Sequence, residues 1–112
     1  MESLQVAFIQ SHLHWENPVA NRAQFSEKIQ IITDEVNLIV LPEMFTTGFT
    51  MNAAAVAESH QGISFQWMQE QAKLKNAAIT GSLIIEEDGK FYNRLYFVFP
   101  NGSFQQYDKR HT

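Results

Sequence analysis

Hydrophobic and polar positions recur with two different periods along this chain, and the change of period separates helices from strands. Short apolar runs of β-forming residues predict strands at residues 4–9 and 38–41. Between them, apolar residues recur at helical spacing and predict an amphipathic helix from about Pro18 to Glu35, with Asn17 as its N-cap. A second helix is predicted over residues 63–76, where good helix formers place their apolar side chains on one face.

The second half of the chain predicts a meander of antiparallel strands. Its strands are predicted at residues 77–85, 91–99 and 104–109. The dipeptides Asp88-Gly89 and Asn101-Gly102 separate them, and both favour the left-handed backbone of hairpin turns.

The predicted order is β-α-β-α-β-β-β, which defines an α/β fold with one mixed sheet covered by two helices. Residues 45–60 are predicted to form a loop with a short helical turn near residues 53–57. A run as apolar as Leu38–Leu41 favours burial on both faces of its sheet. The two helices cover one face, so we expect further chain or a partner to cover the other.

Composition narrows the class of protein. The chain has 112 residues, 45% of them hydrophobic, and no linker or repeat divides it, which predicts one packed domain. The net charge of −4 argues against a nucleic acid partner. The sequence has no cysteine, which excludes a disulfide scaffold and a thiolate metal site. With no signal peptide and no apolar run near the roughly 20 residues of a membrane span, we expect a cytoplasmic protein without a membrane partner.

Glu43 is the first candidate for chemistry, because it follows an apolar strand that Pro42 ends. In open α/β sheets, ligands bind outside the carboxyl ends of the strands. A carboxylate against apolar walls can have its pKa raised toward neutrality, which suits a general base. The alternative is an ordinary solvated residue at a strand end or a helix cap.

Lys109 is the second candidate, because it ends the last predicted strand. If that strand and the strand before Glu43 are parallel neighbours, the two side chains meet at one edge of the sheet. An ammonium and a carboxylate there could transfer a proton and stabilise an oxyanion. From spacing alone, a surface lysine in a solvated tail is the alternative.

Other reactive residues give weaker patterns. His12 and His14 would share a face on a strand, as in some metal sites, but no third ligand lies near them in sequence. We interpret them as loop histidines near Trp15 and predict no metal site. Ser82 follows Gly81 without the flanking pattern of a nucleophile elbow, so serine catalysis is not predicted.

Three segments taken together resemble the nitrilase superfamily of carbon–nitrogen hydrolases. They are residues 4–10, the run Leu38–Phe45 with Pro42-Glu43, and Tyr92-Asn93 followed by Tyr107-Asp108-Lys109-Arg110-His111. The stretch from Leu41 to Phe49 is most similar to the omega-amidase branch, which acts on short ω-amides of dicarboxylates such as 2-oxoglutaramate.

This resemblance implies an α-β-β-α sandwich and a Glu-Lys-Cys mechanism without metal or organic cofactor. Glu43 matches the general base, and Lys109 matches the lysine that stabilises the tetrahedral intermediate. The cysteine nucleophile lies beyond the lysine in the family, whereas this sequence ends three residues after Lys109. A homo-oligomer is expected from the resemblance alone.

Two hypotheses follow for residues 1–112. In the first, they are the N-terminal portion of a carbon–nitrogen hydrolase domain, and the chain alone is an inactive piece of an amidase. In the second, they form a non-catalytic half-sandwich that serves as a binding or interaction module. The substrate is not fixed by this sequence, because it depends on loop residues such as 45–51 and on the other half of the sandwich.

Overall fold

The computed structural model describes residues 4–32, 35–48 and 53–109. Residues 33–34 of the first predicted helix, residues 49–52 of the predicted loop, and Arg110 and His111 of the resemblance lie outside these ranges. The elements in chain order are β1 (Val6–Phe8), α1 (Pro18–Gln30), β2 (Leu38–Val40), α2 (Ala53–Val56), β3 (Glu58–Ser59), α3 (Ile63–Lys75), β4 (Ala78–Glu87), β5 (Lys90–Val98) and β6 (Phe104–Lys109). No helix within the described ranges is both long and apolar enough to cross a bilayer.

The strands form one mixed sheet, as the sequence predicts. Its order is β1-β2-β4-β5-β6, and β3 pairs with β4 outside this path. β1, β2 and β4 are mutually parallel, whereas β5 and β6 add as antiparallel strands. The α/β class and the predicted order are therefore confirmed, with α2 at the predicted helical turn and the two-residue β3 as an element that the pattern did not predict.

Helix α1 begins where its sequence predicts and ends earlier. The Asn17 side chain accepts a hydrogen bond from the Ala20 backbone amide at 3.1 Å, and Pro18 takes the first helical position. The helix ends at Gln30 rather than near Glu35. The β-branched residues that follow are poor helix formers. The Asn37 amide donates to the Gln5 carbonyl at 2.8 Å, so the chain must already have turned back toward β1.

Both ends of helix α3 are capped by residues close to them in sequence. At its start, Glu58 accepts a hydrogen bond from the Ser64 backbone amide at 2.8 Å. At its end, Asn76 adopts a left-handed conformation with φ of 50°, and the Ala77 amide donates to the Ala72 carbonyl. Asparagine tolerates this conformation better than most residues, which explains the sharp exit into β4.

Both predicted hairpins are present. Asp88 and Gly89 have φ of 53° and 76°, as expected for a two-residue turn of the mirror-image type. The second hairpin is longer, and of its two predicted turn residues only Gly102 has a positive φ, of 90°. Asn101 instead accepts a hydrogen bond from the Ser103 backbone amide at 3.0 Å. These turns set the register that places Lys109 opposite Asn93.

The helices α1 and α3 cover one face of the sheet and form the core with it. The buried side chains of the helices and the sheet in this core include Phe25, Ile29, Phe65, Met68, Ile39, Ile79, Leu83, Ile85, Tyr96 and Val98. Phe65 and Tyr96 lie with ring centroids 4.8 Å apart, which ties α3 to β5. This packing fixes the sheet on which the candidate site is built.

The opposite face of the sheet, called the open face below, is not covered by α1 or α3. Because Ile39 points into the core, its neighbours Leu38 and Val40 point to the open face, where each is half-buried. Phe8, paired with Val40, is 73% exposed on this face, and Tyr107 on β6 is 65% exposed. The burial expected on both faces of β2 is thus present on the helix-covered face only.

Gly81 is required where Phe45 packs on β4. A Cβ atom at Gly81 would lie 3.0 Å from Cδ1 of Phe45 and 3.2 Å from Cβ of Leu41. Phe45 is fully buried between Phe25 and Trp67 and has little room to move. We expect Gly81→Ala to lower the free energy of unfolding by about 1–3 kcal/mol through overpacking, measured by urea denaturation.

Phe45→Leu in the Gly81→Ala background provides the control, because it removes ring atoms that the new methyl group would meet. The double variant should lose less stability than the sum of the two single variants. Strict additivity, or an unchanged urea midpoint for Gly81→Ala, would contradict the contact.

Candidate active site

Glu43 lies in a turn that is fastened to β4. The Leu41 amide donates to the Thr80 carbonyl at 2.9 Å, which continues the β2–β4 ladder to the proline. The Met44 amide then donates to Oγ of Ser82 at 2.8 Å. Met44 takes a left-handed φ of 49°, and its carbonyl accepts from the Gly48 amide at 2.8 Å. The turn therefore presents the Glu43 side chain to the open face in a defined direction.

Asn21 holds the other side of the same turn and was not identified from the sequence. Its Nδ2 donates to the Thr46 carbonyl at 2.6 Å and to the His14 carbonyl at 2.7 Å. Its Oδ1 accepts from the His14 amide at 2.7 Å, and the side chain is fully buried. One feature of the sequence indicates it. Asn21 is a polar residue four positions before Phe25 and therefore lies on the apolar face of α1.

Lys109 is positioned by the pairing of β6 with β5. Next to it, Asp108 points to the helix-covered face and accepts two hydrogen bonds from Arg94, Nε–Oδ1 at 2.6 Å and Nη2–Oδ2 at 3.1 Å. Arg94 is only 2% exposed and also donates to Glu87 at 3.0 Å. The hydrogen bonds from Arg94 to these carboxylates raise the pKa of Arg94 above its ordinary value. This bidentate pair fixes the end of β6, and alternation turns Lys109 to the open face.

The structure brings Glu43 and Lys109 together, 66 residues apart in sequence. Nζ of Lys109 lies 2.7 Å from Oε1 of Glu43, and both side chains are 37% exposed. The geometric reason differs from the one that the sequence suggested. β2 and β6 run in the same direction but are not neighbours, because β4 and β5 lie between them. The two long side chains meet above the open face of these strands.

Asn93 is the third member of the cluster, and it lies on β5 between the other two. Its Nδ2 donates to Oε1 of Glu43 at 2.9 Å, so the same carboxylate oxygen accepts from both Asn93 and Lys109. Asn93 is 6% exposed, and its register partners are Lys109 on β6 and Ile84 on β4. The three side chains form one hydrogen-bonded group on the open face.

The pKa of Glu43 moves in the direction opposite to the one that the sequence suggested. The hydrogen bond from Lys109, followed by that from Asn93, holds the pKa of Glu43 below its ordinary value, and these effects outweigh partial burial, which acts in the other direction. The expectation of a raised pKa assumed apolar walls around the carboxylate. Glu43 is instead partly exposed beside a cation, so it remains ionised at neutral pH.

The remaining sequence candidates lie elsewhere. His12 and His14 are exposed in the loop between β1 and α1, and the described residues contain no group of three or more potential metal ligands. His60 lies on the helix-covered side, with Nδ1 accepting from Arg94 at 3.0 Å. Within the part of the chain that the structure describes, Ser82 contacts the site as the acceptor for the Met44 amide.

Comparison with known proteins places this chain in one family. The model of the carbon-nitrogen hydrolase family matches residues 5–112. The chain is 38% identical over 111 residues to the omega-amidase YafV of Escherichia coli (strain K12). This match covers 99% of this chain and 43% of that protein. It is 24% identical over 109 residues to the 2-oxoglutaramate amidase of Bacillus subtilis (strain 168), covering 95% of this chain and 42% of that protein. The chain therefore belongs to the carbon–nitrogen hydrolase family and spans less than half the length of these relatives.

Solved structures agree with this assignment. XC1258 from Xanthomonas campestris, a CN-hydrolase superfamily protein with an arsenic adduct in its active site, superposes with a TM-score of 0.93 at 35% identity. The match covers 99% of this chain and 42% of that one. An N-terminal amidase has a TM-score of 0.82 at 20% identity over 95% of this chain and 27% of its own, which is a likeness of fold.

Proposed function

We propose that residues 1–112 are the N-terminal portion of an amidase domain that releases ammonia from a short ω-amide of a dicarboxylate, such as 2-oxoglutaramate. The observation that carries the proposal is the 2.7 Å contact between Lys109 Nζ and Glu43 Oε1 on the open face. The omega-amidases among the relatives, matched over nearly the whole of this chain, support the substrate class.

Glu43 and Lys109 would have complementary roles in this reaction. Glu43 takes the proton of a cysteine thiol, and the thiolate attacks the amide carbon. Lys109 stabilises the negative charge that develops on the carbonyl oxygen. The carbon–nitrogen bond breaks, and the leaving group departs as ammonia with the proton that Glu43 held. Water then cleaves the thioester, giving the carboxylate product and the free thiol.

The nucleophile must come from outside these residues, because the sequence contains no cysteine. The open face gives the remaining half of the domain a place to pack, since exposed apolar side chains such as Phe8 and Tyr107 lie on it. We accordingly propose that the 112-residue chain is inactive alone. A cytoplasmic location and a homo-oligomer, predicted above from composition and resemblance, are kept as part of the proposal.

A non-catalytic half-sandwich that binds a partner is the second candidate. The same exposed apolar face favours it, together with the absence of cysteine from the sequence. The two candidates differ in what the natural protein contains: the amidase needs a reactive thiol, and the binding module does not.

The test starts from the protein isolated from its source, whose intact mass is measured with and without iodoacetamide. We expect a mass above the 12.9 kDa of this sequence, one reactive thiol, and release of ammonia from 2-oxoglutaramate that iodoacetamide abolishes. The 112-residue chain serves as the control and should release none. A thiol-free protein of 12.9 kDa without turnover would overturn the amidase and favour the binding module.

A further inference from the structure

We propose that Asn93 is a positioning residue of this reaction, which fixes the Glu43 carboxylate so that Oε2, and not Oε1, takes the proton of the nucleophile. The inference rests on the proposed amidase function and goes beyond it. Asn93 was named above only as part of a segment that resembles the family, and the roles given to Glu43 and Lys109 assign it none.

The first argument is the distribution of hydrogen bonds on the carboxylate. Lys109 Nζ at 2.7 Å and Asn93 Nδ2 at 2.9 Å both donate to Oε1 of Glu43, and Oε2 takes part in neither contact. An oxygen that already accepts two donors, one of them charged, binds a proton less well than its partner. A proton arriving at Glu43 therefore goes to Oε2.

The second argument is rigidity. A lysine ammonium is a point charge on a flexible stem, so Lys109 alone would leave the carboxylate free to rotate. Asn93 belongs to β5, which is paired on both sides, and its short side chain is buried. Burial restricts the rotamers of this side chain, so its donor direction is fixed and the planar carboxylate that accepts from it is held in one orientation.

The third argument is the other half of the Asn93 amide. Its Oδ1 is buried and has no hydrogen-bond partner among the described residues. An unsatisfied buried carbonyl is a cost to folding, and an apolar side chain at this position would avoid it. Within the described chain, the bond to Glu43 is the one side-chain hydrogen bond of this amide. This fits a residue whose purpose is to orient Glu43 and does not fit one that serves stability.

The experiment uses the full-length protein and measures the pH dependence of kcat/KM for ammonia release in wild type, Asn93→Ala and Asn93→Asp. The acid limb of this profile reports the essential base of the free enzyme. Asn93→Ala removes a bond that lowers the pKa of Glu43, so the acid limb should move to higher pH than in wild type. Asn93→Asp adds a like charge and should move it further.

We also expect Asn93→Ala to lower kcat/KM by about ten- to a hundredfold, mainly through kcat, because the misoriented carboxylate affects the chemical step more than binding. Asn101→Asp is the matched control. It makes the same change of charge in an exposed hairpin turn, where the acid can still accept from Ser103, and both the rate and the acid limb should stay as in wild type.

The outcomes separate the two proposals. A wild type that releases no ammonia overturns the amidase and this inference with it. An active wild type that Glu43→Gln inactivates, combined with an unmoved acid limb in both Asn93 variants, overturns the inference alone. Loss of folding in both variants, seen as loss of the cooperative unfolding transition, would assign Asn93 to stability and overturn the inference as well.

Discussion

Glu43→Gln in the full-length protein should lower kcat/KM for release of ammonia from 2-oxoglutaramate by about a thousandfold or more. Glutamine has nearly the same shape as glutamate, and its carbonyl oxygen can still accept from Lys109 and Asn93, as Oε1 of Glu43 does now. What the variant loses is the ability to take a proton, so the fold and the substrate pocket should be kept. The measurement is steady-state ammonia release with a check of thermal unfolding.

Lys109→Met should cause a loss of similar size, because the developing oxyanion loses its cation. Residues that act as a unit are non-additive, so the double variant should be little worse than either single one. Glu70→Gln and Lys73→Met are matched controls, since both residues are exposed on α3, and neither should change the rate. Full activity of Glu43→Gln, or strict additivity of the pair, would contradict the proposed roles.

Much of the fold was predictable from the sequence, because the secondary structure that local patterns favour is also the one that tertiary packing requires. β6 was predicted with its observed bounds, and the observed β5 begins and ends one residue before its predicted bounds. Both predictions succeed because the alternation of side chains along these strands matches a sheet with one buried face and one open face. Helix α1 was predicted too long, because the constraint that ends it is the long-range bond between Asn37 and Gln5. β3 was missed because two residues, Glu58 and Ser59, carry no period of their own.

Two members of the candidate site, Glu43 and Lys109, were predicted from the sequence, whereas its third member and its geometry were not. A carboxylate after an apolar strand and a lysine at a strand end are local features that the sequence displays. That β4 and β5 lie between their strands is a property of topology. The role of Asn93 depends on it, because Asn93 contacts Glu43 only when β5 lies between β2 and β6. By residue type and spacing alone, a single asparagine within an aromatic strand does not indicate such a role.

The shift in the pKa of Glu43 was also predicted wrongly because it depends on tertiary contacts. A sequence shows which residues flank a carboxylate in the chain, and apolar flanks suggest a raised pKa. The pKa depends instead on which donors lie within hydrogen-bonding distance, and here they come from β5 and β6. If the proposed second half of the domain packs on the open face, it will exclude water from Glu43. Desolvation would then raise its pKa again, toward the range that suits a general base.

Asn21→Ala should lower the free energy of unfolding by about 3–5 kcal/mol, the largest loss of stability that we expect from a polar residue in this chain. The variant leaves the buried Thr46 carbonyl and the part-buried His14 amide without their Asn21 partner, and it leaves the His14 carbonyl with only the Asn17 amide at 3.3 Å. Each such group costs about 1–3 kcal/mol when water does not replace the partner. Urea denaturation of the full-length protein at 25 °C gives the measurement.

Asn37→Ala separates burial from hydrogen bonding, because Asn37 also accepts from a backbone amide, that of Gln5 at 2.9 Å, but at an exposed site. Water can take over that bond, so we expect a loss of about 1 kcal/mol or less. Equal losses for the two variants would mean that the site of Asn21 admits water. If Asn21→Ala is the costlier variant and also slows ammonia release, then the turn carrying Glu43 depends on α1 for its position, since Asn21 is the side chain that joins α1 to Thr46.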